Sequence, residues 1–134
     1  MPSVPESAHP GVVGVGVDLV EVERMRDTLA RTPTIVERVF TADEAAWARA
    51  AKDPSERFAV RFAAKEAVLK SLGVGLGSTP LRAIEVVRAD SGEPSIVLHE
   101  PAAALAAQRG VVRFHVSLTH TASLAAAVVV ASGD

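Results

Sequence analysis

Between residues 11 and 20, GVVGVGVDLV, apolar positions alternate with small or polar ones at period two. Val13, Val15, Val17 and Leu19 share one face and Gly14, Gly16 and Asp18 the other, which predicts a β-strand. EVERMRDTLAR (21–31) has helical composition and stops before Pro33. TADEAAWARAAK opens with Thr41 three residues ahead of Glu44, a capping-box pattern that predicts a second helix. DPSERFAVRFAAKEAVLKSLG (53–73) predicts the longest helix, with Ser55 as N-cap, an apolar stripe of Phe58, Phe62 and Leu69, and Gly73 just past its end. GVGLGSTP (73–80) reads as a glycine-rich loop. AIEVVRA and SIVLHE read as strands joined by the turn DSGEP. PAAALAAQRG reads as a short helix, and VVRFHVSLTH and LAAAVVVA as two further strands. A strand, three helices, two strands, a helix and two strands make an α+β fold, a mostly antiparallel sheet packed on one long helix. Residues 1–10, with three prolines, predict a flexible N-terminal arm ahead of a single domain over 11–134.

Composition narrows the function classes. Hydrophobic residues make up 49% of the 134 and charged residues 22%, the balance of a folded chain. A net charge of −2 gives no pull toward nucleic acid or an anionic membrane. There is no cysteine, which removes disulfides, thiolate nucleophiles and cysteine-ligated zinc. No apolar run approaches the ~20 residues of a membrane helix, and the start lacks an export signal, so the expected location is cytoplasmic.

The candidate chemistry begins with Glu66 and Lys70. They stand four apart at the edge of the long helix's apolar face, among the small Ala59 and Ala63. They form either an ordinary i,i+4 ion pair or a carboxylate kept for a metal or proton with a lysine beside it. Asp18, late in the first strand, is either the N-cap of the following helix or a functional group with room around it left by Gly14 and Gly16. GVGVDL is no dinucleotide fingerprint, because Leu19 stands where the third glycine belongs, and GVGLGS lacks the Gly-Lys-Ser/Thr ending of a phosphate loop. Asp18 and Glu66, from different elements, suit a hard cation such as magnesium, which takes one or two carboxylates plus phosphate oxygens. In FHVSLTH, His115, Ser117 and Thr119 share a polar face that is either solvated or available to a phosphorylated ligand. Arg24, Arg31 and Arg38 recur every seven residues, as a solvated face or as a docking surface for an acidic partner.

Taken together and in order, GVGVDLVEVERM, RFAAKEAVLKSLGVGLG and FHVSLTHTASLAAAVVV resemble the holo-acyl-carrier-protein synthase family of phosphopantetheinyl transferases, from about Val12 to Val130. The resemblance implies the family's transferase fold, assembled as a homotrimer. It also implies transfer of 4′-phosphopantetheine from coenzyme A to a serine of an apo acyl carrier protein of fatty-acid or polyketide type, with adenosine 3′,5′-bisphosphate as co-product. By matching motifs, Asp18 and Glu66 become magnesium ligands. Lys70 becomes the lysine at the transferred phosphate, and Glu66, directly or through a metal-bound water, the base. Arg61, Lys65 and the Gly73, Gly75 and Gly77 loop match positions around the coenzyme nucleotide, with Ser117 placed beside them. His115 matches a histidine that reaches the coenzyme of a neighbouring subunit, and Arg24, extended by Arg31 and Arg38, matches the carrier-docking surface. The sequence departs from the family at Thr28 and Thr34, where relatives often carry larger apolar or basic residues, which bears on the choice of carrier. A magnesium-dependent hydrolase of coenzyme A, or a non-catalytic module binding coenzyme A or carrier protein, are the rival functions that such a site leaves open.

Overall fold

The computed structural model describes residues 11–134; the expected arm at 1–10 lies outside the described residues. Strand β1 (Val12–Glu21) leads into helix α1 (Val22–Arg31), and α2 (Ile35–Val39), α3 (Ala42–Arg49) and the long α4 (Pro54–Ser71) follow. A 3₁₀ turn (Leu81–Ala83) then leads to β2 (Ile84–Arg88), β3 (Pro94–Leu98), α5 (Ala102–Gln108), β4 (Arg113–His120) and β5 (Leu124–Ser132). All pairings are antiparallel, but the strands form two sheets, β1-β5-β4 and the hairpin β2-β3. Among the described residues no helix is long and apolar enough to cross a membrane.

Local chemistry sets the helix ends. Thr41 and Glu44 form the expected capping box at α3, each side chain closing the other's backbone N–H. At α4 the N-cap is Asp53 rather than Ser55: its carboxylate accepts from the Ser55 N–H, and Pro54 takes the first helical position, where a missing N–H costs nothing. Gly73, at φ +73°, follows the last turn of α4 as expected. Glu21, not Asp18, occupies the N-cap position of α1.

Two apolar clusters flank α4. One joins its Ala63, Ala64, Ala67 and Val68 to Ile84, Val86, Ala127 and Val129. The other joins Phe58 and Ala59 to Val22, Met25, Phe40 and Ala48, with the rings of Phe40 and Phe58 4.8 Å apart. The alternation of β1 is as read, yet its glycine face is the one against the core. A Cβ on Gly14 would lie 2.0 Å from the Ser71 carbonyl oxygen, and one on Gly16 1.9 Å from that of Ala67. The room those glycines leave is therefore filled by the backbone of α4. The valine face points outward, with Val13, Val15, Val17 and Leu19 between 45% and 63% exposed.

Candidate active site

Because α4 lies directly on β1, Asp18, the next residue on the glycine face, is brought against the last turns of the helix. The Lys70 ammonium donates to Asp18 Oδ1 at 3.0 Å and to the Val17 carbonyl at 3.0 Å. Asp18 Oδ2 is buried with no hydrogen-bond partner among the described residues. The lysine thus pairs across elements, and the intrahelical Glu66–Lys70 ion pair is not what forms. Glu66, half-buried one turn before Lys70, has its pKa raised, first by burial and then by the Asp18 carboxylate, with Lys70 acting the other way. Two acids and one ammonium share this corner, and one carboxylate oxygen is desolvated without a donor.

Those features fit a divalent cation. A buried carboxylate oxygen lacking a donor is costly unless something positive meets it, and a cation between Asp18 and Glu66 would satisfy that oxygen and offset the repulsion that raises Glu66. Among the described residues no cluster of three or more acidic, histidine or cysteine side chains could hold a metal. A two-carboxylate site matches a hard ion that keeps other oxygen ligands, as magnesium does.

Glu66 also borders a groove of about 420 Å³ lined by Leu19, Met25, Phe62 and Arg24. The structure therefore brings Arg24 to the same groove as Glu66. Arg31 and Arg38 are exposed, but Arg38 stands on α2 rather than on α1. Arg26 is engaged by Glu23 and, at 2.6 Å, by the cap residue Asp53.

A larger cleft of about 980 Å³ opens between α3, α4, the β2-β3 hairpin and β4. Arg61 and Ser117 both line it. So do Trp47, Arg57 and Arg88, which the sequence reading did not single out, with the guanidiniums of Arg57, Arg61 and Arg88 at 4.3, 4.1 and 5.1 Å from the indole centroid. Arg57 and Arg88 form no ion pair among the described residues, so the cleft carries uncompensated positive charge beside an aromatic platform. Burial lowers the pKa of Arg61, Glu44 opposes this, and Arg88 and Arg57 add to it. Only the Arg57–Arg61 spacing, one helical turn, was visible in sequence; Trp47 and Arg88 arrive from other elements. His120, at the same cleft, lies 3.8 Å from Glu56.

Lys65 lies in the interior. It is 0% exposed, donates to Glu44 Oε1 at 2.7 Å and to the Leu81 carbonyl at 3.1 Å, and also bonds the Ile84 carbonyl. Burial lowers its pKa against the pull of Glu44. It lines neither the cleft nor the groove described above. Gly73 and Gly77, both at positive φ, and Gly75, whose carbonyl accepts from Ser78, shape the loop leaving α4. His115 lies on the outward face of the sheet, opposite Val130 of β5, which also faces Val15 of β1. Within the chain, that face is apart from the Asp18–Glu66 corner.

Comparisons with known proteins cover most of the chain. Residues 14–129 match the model of the 4′-phosphopantetheinyl transferase superfamily. A holo-[acyl-carrier-protein] synthase of Frankia casuarinae is 50% identical over 90% of this chain and 97% of its own. The crystal structure of the Neisseria meningitidis holo-[acyl-carrier-protein] synthase superposes with a TM-score of 0.82 at 27% identity, over 90% of this chain and 98% of that one. The Helicobacter pylori synthase, solved in complex with coenzyme A, does so at 0.78 and 28% identity, over 88% and 99%. With most of its length matched and a two-acid, one-lysine corner where its motifs meet, the chain belongs to the 4′-phosphopantetheinyl transferase superfamily, among the holo-acyl-carrier-protein synthases.

Proposed function

We propose that this chain transfers the 4′-phosphopantetheine arm of coenzyme A to a serine of an apo acyl carrier protein of fatty-acid or polyketide type, leaving adenosine 3′,5′-bisphosphate. The observation that carries the reading is the meeting of Asp18, Glu66 and Lys70 at one corner, with an orphaned carboxylate oxygen and a Glu66 whose proton affinity is raised. Asp18 and Glu66 are the residues that would hold magnesium; the ion, when bound, neutralises charge on a diphosphate as its P–O bond breaks. Lys70, more than half exposed, turns its ammonium to the transferring phosphate. Glu66 is the side chain at this corner that takes the proton of the acceptor serine. The nucleophile belongs to the carrier, so Ser117 serves binding rather than attack.

The arginine-lined cleft takes the nucleotide end of the coenzyme, because its positive charge and indole suit an anionic, aromatic ligand. The loop with Gly73, Gly75 and Gly77 follows Lys70 directly and contributes to the coenzyme surface beside it. The groove joining Arg24 to Glu66 receives the carrier, with Arg31 and Arg38 extending the basic surface. The outward valine face forms the contact of a homotrimer. It is apolar over neighbouring strands, and His115 stands on it where it reaches the coenzyme of the next subunit. The setting is the cytoplasm.

The test is incubation of purified chain with coenzyme A, magnesium and an apo carrier protein, followed by intact mass. Gain of the arm on the carrier is expected. Coenzyme consumed with no arm transferred would mean a hydrolase, and coenzyme left intact a binding module. The two substrate surfaces separate kinetically. Arg57→Ala raises KM for coenzyme A about tenfold, the loss of one charge-assisted hydrogen bond, and leaves KM for carrier alone. Arg24→Glu does the reverse, raising KM for carrier with a steeper dependence at low salt. Steady-state kinetics at several ionic strengths reads both.

A further inference from the structure

The outer edge of β2 is held by side chains instead of by another strand. Its inner edge pairs with β3, Val86 opposite Ile96. On the other edge the Val86 N–H donates to Glu44 Oε2 at 3.0 Å, the Val86 carbonyl accepts from Arg61, and the Ile84 carbonyl accepts from Lys65. Lys65 also donates to the carbonyl of Leu81, the residue that follows the glycine-rich loop and Pro80. Glu44 joins the set through its other oxygen, which accepts from Lys65 at 2.7 Å and from the Thr41 N–H at 2.9 Å. Both Glu44 and Lys65 are 0% exposed. A buried ion pair is often no more stabilising than apolar residues of the same volume, so its presence here calls for a role that apolar residues could not fill. An apolar pair could pack in this space, but it could not bond two backbone groups of β2 and one at the loop exit.

The hairpin moored in this way carries Val86, Arg88, Gly92 and Pro94, all on the wall of the large cleft, and α4 carries Arg57 and Arg61 on the facing wall. We infer that Glu44 and Lys65 are positioning residues for coenzyme binding: by tying the free edge of β2 to α3 and α4, they fix the separation of the two cleft walls and so the spacing of Arg88 from Arg57 and Arg61. They touch no ligand. Arg61 has a double duty, because the guanidinium that bonds Val86 also lines the cleft. The inference rests on the nucleotide occupying this cleft.

The test is the double variant Glu44→Gln/Lys65→Met, which removes both of these charges together and keeps side-chain length; Arg61, 3.8 Å from Glu44 Oε2, loses that carboxylate but keeps its bond to the Val86 carbonyl. Its KM for coenzyme A, and its Kd for coenzyme A by calorimetry, rise at least about tenfold, as a small displacement of binding groups does. KM for carrier and turnover at saturating coenzyme stay close to the parent. A purely structural role would lower the fraction of active protein without moving either constant. A folded double variant with parental KM and Kd for coenzyme A overturns the inference. If the double variant does not fold, Lys65→Arg, which keeps the charge but presents its donors as a planar fork, is read in the same way. Arg57→Ala run alongside separates the two failures. A raised KM there with an unchanged one in the double variant removes only the positioning role, whereas no change in either removes the cleft as the nucleotide site and the inference with it.

Discussion

Glu66→Gln and Asp18→Asn each reduce transfer by about 10³-fold or more while the chain stays folded. The magnitude follows from several kcal/mol of charge stabilisation lost at the diphosphate, at about 1.4 kcal/mol per tenfold. Asp18→Asn also weakens the anchor of the Lys70 ammonium, which the carboxylate holds at 3.0 Å. The two variants differ in stability. A carboxyl whose folded pKa is raised binds its proton more tightly in the native state, so folding is penalised as pH rises through the window between its unfolded and folded pKa, and the penalty is complete above the latter. Glu66 is such a group. In magnesium-free buffer near neutral pH, Glu66→Gln therefore melts at or above the parent temperature, while at pH below the ordinary carboxylate range the two melt alike. Activity and thermal melts on one preparation check both parts. A fully active Glu66→Gln, or one that melts far below the parent, contradicts the role given to this side chain.

Gly16→Ala is expected to cost more than any single surface change in the molecule. The added methyl would stand 1.9 Å from the Ala67 carbonyl oxygen and 2.8 Å from the Ser71 nitrogen. Both are backbone atoms of a helix held by its own hydrogen bonds, so no rotamer change relieves the clash, and β1 and α4 have to separate. Overpacking of this kind costs ~3 kcal/mol or more, and the melting temperature falls by about 10 °C for a chain of this size. Activity falls further than the melt implies, since Asp18 lies two residues along the same face and moves with the strand. A melt unchanged within error would show that the close approach of α4 to β1 is not required.

What could be read from the chain was mostly local. The Thr41–Glu44 box closes within one turn, and Gly73 ends a helix by its own backbone freedom, so neither depended on distant partners. The short helix α2 has five residues, too few for a period, and was missed. Asp53 and Ser55 are both good caps by residue type. Pro54 decides between them by filling the first helical position. The alternation of β1 told which residues share a face but not which face is inside; that was settled by the glycines, which admit a helix backbone that valines could not. Asp18, Glu66 and Lys70 emerged because their motifs are contiguous. Lys65 emerged too, but its interior bonding did not, since that depends on Glu44, 21 residues away, and on carbonyls of a strand not yet formed when α4 is read. The cluster at Trp47 draws its four residues from three elements and leaves no linear trace beyond one helical turn.

If the outward row of Val13, Val15, Val17 and Leu19 is the subunit contact proposed above, it ties this protein's thermodynamics to its abundance. A strand that presents aliphatic side chains to water gains free energy when a partner surface covers them, and that gain scales with the logarithm of how much partner is present. In the homotrimer proposed above, dilution would weaken the native state of every copy without altering one bond inside it, and a melting temperature would then have meaning only beside the concentration at which it was taken.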